Sequence, residues 1–262
     1  SMAIGSVTPP RGKFDLRSVD MLHARALFVT LLLPAVGRAA FATTPLDDYV
    51  NRDDGAFAWR EVPELAISGP GWSGAVLNVT SQKWLSDEDW GASWGPTGGL
   101  WWHLVLVVAP DELLHPGWAG LWITGGHNDG APPSPRDTDV AVASRLAVST
   151  GAVVAALFNV PNEALFFVDE PGQPARSEDA IVAYTWAHYI DYVAGGGDPL
   201  DEAACSWVLE LPMTKAAFAA MRAVEEHRAA SARGGASGAL AWLVAGASKR
   251  GWTTWLVGAV DA

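Results

Sequence analysis

Four apolar runs stand out along the chain, separated by stretches in which hydrophobic residues recur at helical spacing. Leu100 to Ala109 is almost unbroken and stops at Pro110; Gly120 to Thr124 runs into Gly125-Gly126-His127-Asn128; Gly151 to Phe158 and Leu240 to Ala245 are the other two. Continuous rather than alternating hydrophobicity is what a strand covered on both faces requires. Between the second and third runs, Val140, Ala143, Ala147 and Val148 mark an amphipathic helix over Asp137 to Val148. A second helix is predicted over Ser177 to Val193, with Glu178 and Asp179 suited to the positive helix N-terminus and Gly195-Gly196-Gly197 closing it. A third runs from about Met213 to Arg233 after Pro212, and a short one, Trp252 to Val260, follows the last strand. Thr43 to Gly99 is rich in Gly, Pro, Trp and Asp, with short apolar patches such as Gly74 to Val79, and reads as small strands joined by turns. The strand, helix, strand order with short links predicts one α/β domain built on a mostly parallel sheet.

The N-terminus has a different texture. Met21 is followed by His23 and Arg25, then by the apolar run Ala26 to Val36, then by Ala40-Phe41-Ala42. A basic start, a short apolar core and an A-x-A site make a secretory signal peptide of residues 21–42, with residues 1–20 as a tag or upstream extension and 43–262 as the domain. About a dozen apolar residues interrupted by Pro34 fall well short of the roughly 20 that a membrane-spanning helix needs. The same run would also fit an ordinary amphipathic helix. On the secreted reading, Asn78-Val79-Thr80 becomes a glycosylation sequon at Asn78.

Composition narrows the class. Of 262 residues half are hydrophobic and 18% charged, a balance that excludes a disordered chain or a coiled coil. A net charge of −12 disfavours DNA, RNA and anionic lipid as partners. Removing residues 1–42 would deepen that acidity, because Arg11, Lys13, Arg17, Arg25 and Arg38 leave with only Asp15 and Asp20. Fourteen tryptophans supply large buried surfaces, each with one N–H to satisfy. The single cysteine, Cys205, makes no internal disulfide. Glu225-Glu226-His227 lacks the paired histidines of a zinc helix, the acidic clusters lack EF-hand spacing, and Gly195-Gly196-Gly197 lacks a following Lys-Ser/Thr, so no metal or cofactor is assigned.

Chemistry is suggested where the fourth apolar run turns into a helix. Gly246-Ala247-Ser248-Lys249-Arg250-Gly251 fits a nucleophile elbow, in which a sharp strand-to-helix turn exposes the serine hydroxyl. The glycine usually found two residues after the serine is displaced by one, to Gly251, and the same spacing fits a plain helix cap. On the elbow reading Ser248 is the nucleophile. The Lys249 N–H is one oxyanion donor, and the Gly126-His127-Asn128 turn supplies a second from His127 or Asn128. Arg250 is either a solvated surface residue or a holder of a substrate carboxylate.

Val244 to Leu256 as a block resembles the signature of the PhoPQ-activated pathogenicity-related family, which takes in the proliferation repressors of social amoebae. Further segments match in the same order: Thr80-Ser81-Gln82-Lys83-Trp84, Trp101-Trp102-His103, Gly125 to Asn128, Val160-Pro161-Asn162, Glu178 to Trp186 and Leu211 to Ala216. The resemblance spans roughly Leu46 to Asp261. It implies a secreted protein with an α/β-hydrolase-like three-layer fold and a serine-hydrolase ancestry, acting on a small-molecule ester or peptide, or else a non-catalytic signalling protein that meets a cell-surface receptor.

A triad in such a fold runs serine, acid, histidine along the chain. Here all six histidines, His23, His103, His115, His127, His188 and His227, precede Ser248, and Asp261 is the only acid after it. The resembled family continues beyond this point, so the sequence predicts a fold truncated after the elbow helix and a chain that is catalytically inactive alone.

Overall fold

The computed structural model describes residues 43–90, 99–231 and 240–260. The leader assigned to residues 21–42, the extension 1–20 and Asp261 lie outside the described residues. The elements run α1 (Pro45–Asn51), β1 (Ala58–Glu61), β2 (Ile67–Gly69), β3 (Trp72–Lys83), β4 (Leu100–Pro110), β5 (Trp118–Ile123), α2 (Thr138–Thr150), β6 (Val153–Leu157), α3 (Asp179–Ala194), α4 (Glu202–Cys205), α5 (Glu210–Ser231), β7 (Ala241–Gly246) and α6 (Lys249–Ala259).

Among the described residues seven strands form one sheet in the order β1-β3-β4-β6-β5-β7, with β2 paired beside β3. The pairings β3 to β4 and β4 to β6 are antiparallel, whereas β5 pairs in parallel with both β6 and β7. Four of the five central strands therefore point the same way, with β4 reversed among them. The apolar runs predict such an α/β sheet, and its α/β-hydrolase-like layout is the one that the family resemblance implies.

Both faces are covered over β4 and β6, whereas Trp118 of β5 and Leu243 of β7 are exposed. Val105 and Val107 of β4 join Leu121, Ile123, Val153, Ala155 and Leu157 in a core shared with α5, α6 and the start of α3. Leu104, Leu106 and Val108 point the other way, into a smaller core under Val140, Ala143 and Ala147 of α2. That alternation within one apolar run produces the three layers.

The N-terminal third departs from the expected small strands. It contains a seven-residue helix, α1, opened by a capping box in which Thr44 and Asp47 bond reciprocally and Pro45 takes the first helical turn. It also contains the twelve-residue β3. Polar residues obscured that strand, yet the structure satisfies them. A register shift between Thr80 and Gln82 turns both Ser81 and Gln82 inward. Tyr49 Oη donates to Gln82 Oε1 at 2.8 Å, and Gln82 Nε2 donates to the Pro212 carbonyl at 2.7 Å. Ser81 Oγ lies 3.1 Å from His103 Nε2, and His103 Nδ1 lies 3.0 Å from the Phe158 carbonyl. Because a carbonyl only accepts, Nδ1 carries the proton and Nε2 accepts from Ser81: the ring is neutral and fully used. Asn78 sits mid-strand in β3, half-buried, opposite Arg60 on one side and Leu104 on the other.

Tryptophans fill the larger core. Trp84 is fully buried, packs edge-on against Trp90, Trp101 and Phe167, and donates its N–H to the Ser206 carbonyl at 2.7 Å. Trp84→Ala should cost about 3–5 kcal/mol in urea unfolding followed by circular dichroism; a loss under about 1 kcal/mol would contradict this packing. His103 sets a pH dependence. Burial lowers its pKa to about 4, against 6.5 for the exposed ring. Between those values the unfolded chain binds a proton that the folded one refuses, so stability falls as the pH drops through that window. Unfolding free energy should fall by about 2–3 kcal/mol from pH 7 to 4.5 through this group, and His103→Gln should flatten that part of the profile.

Candidate active site

The C-terminal ends of the parallel strands β5 and β7 lie side by side, Ile123 opposite Gly246. Consecutive parallel strands thus bring the loop after β5 and the turn after β7 to one edge of the sheet. In that turn Ser248 is exposed and has φ 56°, ψ −126°, a conformation that L residues rarely adopt and that costs about 1–3 kcal/mol. The turn is tight because Gly246 lacks a side chain: a Cβ there would fall 2.7 Å from the Arg250 carbonyl oxygen. Gly251 meets the same constriction from the other side, where an added Cβ would fall 3.1 Å from the Gly246 oxygen. A glycine at the usual place, two residues after the serine, is thus replaced by a pair, Gly246 and Gly251, that allows the same close approach.

Lys249 is the first residue of α6, so its N–H has no carbonyl partner within the helix and forms part of the positive end of the helix dipole. This is the arrangement that stabilises an oxyanion on a group bound to Ser248. The loop after β5 is folded close by. Gly126 has φ +119° and packs against Asn159, where a Cβ would come within 2.8 Å of Oδ1. Asn128 is not available as a backbone donor, because its N–H donates to the Glu163 carbonyl at 2.6 Å and its Nδ2 donates to Asn162 Oδ1 at 2.7 Å. Of the two residues assigned as second donor from sequence, Asn128 therefore has its N–H already bonded. The His127 side chain is mostly exposed, with Nδ1 4.0 Å from Glu163 Oε1.

Arg250 is not a solvated surface arginine. Its side chain is 12% exposed and lies across Gly125, where a Cβ would collide with the guanidinium. Nε donates to the Val160 carbonyl at 2.5 Å and Nη2 donates to Glu178 Oε1 at 2.6 Å. The ammonium of Lys249, 8% exposed, pairs with Glu178 and with Asp179, the latter at 2.8 Å. Burial alone would raise the Glu178 pKa, but the hydrogen bonds from Arg250 and Lys249 outweigh it and hold the carboxylate charged. Glu163 behaves oppositely: it is buried, and that burial raises its pKa against the bond from the Glu178 N–H.

Glu163, Glu178 and Asp179 therefore belong to this edge of the sheet, although the sequence marked the last two only as helix-start charges. The available signal was complementarity: an acidic pair opens one helix and a basic pair opens another. Among the described residues no group accepts a hydrogen bond from Ser248 Oγ. His188 stacks on Trp207 with ring centroids 3.7 Å apart, and His227 lies 3.2 Å from Glu61.

The profile of the family described as PhoPQ-activated pathogenicity-related protein matches residues 46–262. Autocrine proliferation repressor protein A of Dictyostelium discoideum is 33% identical over 237 residues, covering 90% of this chain and 42% of that protein. The chain thus spans less than half the length of that relative. Among solved structures, a glucuronoyl esterase from Solibacter usitatus aligns at TM-score 0.44 and 13% identity, covering 83% of this chain and 54% of that one. A second glucuronoyl esterase structure from the same organism aligns at TM-score 0.39 and 12% identity, over 82% and 53%.

The two glycine environments in this region make opposite predictions. Gly246→Ala should destabilise the protein by about 1–3 kcal/mol, because the obstructing atoms are backbone. Gly258→Ala, in α6 with nothing within 4 Å of the added methyl, should stabilise it by about 0.5–1 kcal/mol. Thermal melting of the two variants checks both signs.

Proposed function

The chain belongs to the PhoPQ-activated pathogenicity-related protein family, and from that premise we propose that it is a secreted serine hydrolase of ester or peptide bonds. The observation that carries the reading is the backbone of Ser248: an exposed hydroxyl on a strained residue between a parallel strand and a helix N-terminus. Ser248 Oγ would attack the substrate carbonyl, and negative charge would develop on the carbonyl oxygen. The Lys249 N–H, with a donor from the turn after β5, would receive that charge. Losing one such donor typically costs about 3 kcal/mol of transition-state stabilisation.

Attack also needs a base to take the hydroxyl proton, because an unassisted serine is a poor nucleophile at neutral pH. None of the described residues accepts that proton by hydrogen bond, and the reading therefore holds that this chain alone turns over little or no substrate. The acid and histidine would come from the longer protein, as the 42% coverage of the Dictyostelium relative allows. Secretion rests on the leader pattern at 21–42, and the carbohydrate-ester class of substrate is the narrower enzymatic form.

A second reading is favoured by the name of that relative and by the unpartnered hydroxyl: a non-catalytic, secreted signalling protein on the same scaffold, binding a cell-surface receptor.

Fluorophosphonate labelling of the full-length gene product separates the two. Labelling at Ser248 that vanishes in Ser248→Ala supports the hydrolase, and its absence from folded protein supports the binder. The 262-residue chain should hydrolyse p-nitrophenyl esters no faster than Ser248→Ala. Steady turnover by the chain that the substitution removes would overturn the assignment of an absent base.

A further inference from the structure

Ser248 is not the only residue here with an improbable backbone. Glu178, the residue that opens α3, has φ 51°, ψ −128°, almost the conformation of Ser248 at the start of α6. Neither is a glycine, and each such residue persists only when its surroundings over-determine it. The two are linked. The Glu178 carboxylate receives Lys249 on one oxygen and Arg250 on the other, the two residues that directly follow Ser248. Its backbone N–H is held at 2.6 Å by Oε2 of Glu163, a carboxylate that is itself buried. Arg250 is fixed a second time by the Val160 carbonyl and lies against Gly125 at the root of the oxyanion turn.

Two cations at the first turn of a helix are placed against its dipole, and both are nearly buried. Left alone, they would favour unwinding that turn and moving into water. A single carboxylate bonding both of them reverses the balance and fixes the first turn of α6 in register with α3.

We propose that Glu178 is a positioning residue for Ser248. Its carboxylate, oriented by Glu163 through the Glu178 N–H, clamps Lys249 and Arg250 so that the elbow keeps its strained form and the Lys249 N–H stays aimed at the oxyanion position. Glu178 reaches the reacting atoms only through Lys249 and Arg250 and does not touch substrate. The kinetic half of this inference rests on the hydrolase reading, whereas the structural half stands without it.

The test uses three variants: Glu178→Gln, which keeps shape and loses charge; Glu178→Asp, which keeps charge; and Glu226→Gln, a control on α5 whose carboxylate bonds Arg222 and the Trp59 N–H. Amide hydrogen exchange is read on the 262-residue chain, and fluorophosphonate labelling rate on the full-length protein. In Glu178→Gln the hydrogen-bonded amides of the turn, Arg250 to the Ala247 carbonyl and Trp252 to the Ser248 carbonyl, should exchange at least tenfold faster and labelling should slow at least tenfold. Glu178→Asp should recover at least a third of the labelling rate, and Glu226→Gln should change neither readout. Unchanged exchange in Glu178→Gln overturns the proposal whether or not labelling slows, since slow labelling with an intact turn would mean a field effect rather than positioning. Equal loss in Glu226→Gln also overturns it, because the effect would then be general destabilisation. If the wild-type full-length protein is not labelled at all, the hydrolase reading fails, and the exchange measurement still decides for or against the clamp.

Discussion

Burying Lys249 and Arg250 at the start of α6 is the constraint around which this edge of the sheet is arranged. Cations at the positive end of a helix, removed from water, are tolerated only with an anion in contact. Glu178 provides it, and doing so requires α3 to begin where α6 begins. The segments that must then share the space are the turn after β5, the loop around Val160 to Glu163 and the two helix starts. Their close approach explains why glycine stands at 125, 126 and 246, where added side chains would meet Arg250 or Asn159. The exposed serine hydroxyl is thus the visible end of a packed and charged support.

Much of the scaffold could be read from hydrophobic patterning. The runs at Leu100, Gly120, Gly151 and Leu240 became β4, β5, β6 and β7 with ends displaced by only a few residues; strands such as β4 and β6, buried on both faces, leave a continuous apolar signature, while β7 carries the same signature with Leu243 exposed. Helices α2, α3 and α5 followed from their periodicity. β3 was reduced to its apolar centre, Gly74 to Val79, since its ends carry Ser73, Ser81 and Gln82. Ser81 and Gln82 are acceptable in a core only through partners far away in sequence, His103, Tyr49 and Pro212, and a pattern read along the chain does not reveal them. α1 did leave a local sign, Thr44-Pro45 with Asp47, overshadowed by the Gly- and Trp-rich stretch behind it.

The site shows the same division. Ser248 was legible because an elbow is a local event: a strand end, a small residue, a serine and a helix. Its supports were not, because Glu163, Glu178 and Arg250 are 15 to 87 positions apart and are brought together by the sheet order. Arg250 shows how exposure was misjudged. A basic residue in a helix's first turn normally faces water, and only the arrival of Val160 and Glu178 from other loops makes it a buried anchor.

Sheet direction also separates the two halves of the chemistry. Parallel strands place the turn after β5 and the start of α6 after β7 on one edge, so backbone N–H groups collect there. Imidazoles do not. His115 precedes β5 and so lies at the opposite end of that strand, roughly 20 Å away at about 3.3 Å per residue. His103 is sealed in the core between Ser81 and Phe158, and His227 is drawn to Glu61 on α5's side of the sheet. His127 alone among the described histidines sits at the C-terminal edge of β5, and its nearest charged neighbour is Glu163 rather than the serine. The described residues therefore bring a helix N-terminus and a neighbouring turn to the serine through backbone geometry, which the fold imposes. Proton transfer depends on where one side chain lies, and the fold imposes no such placement here.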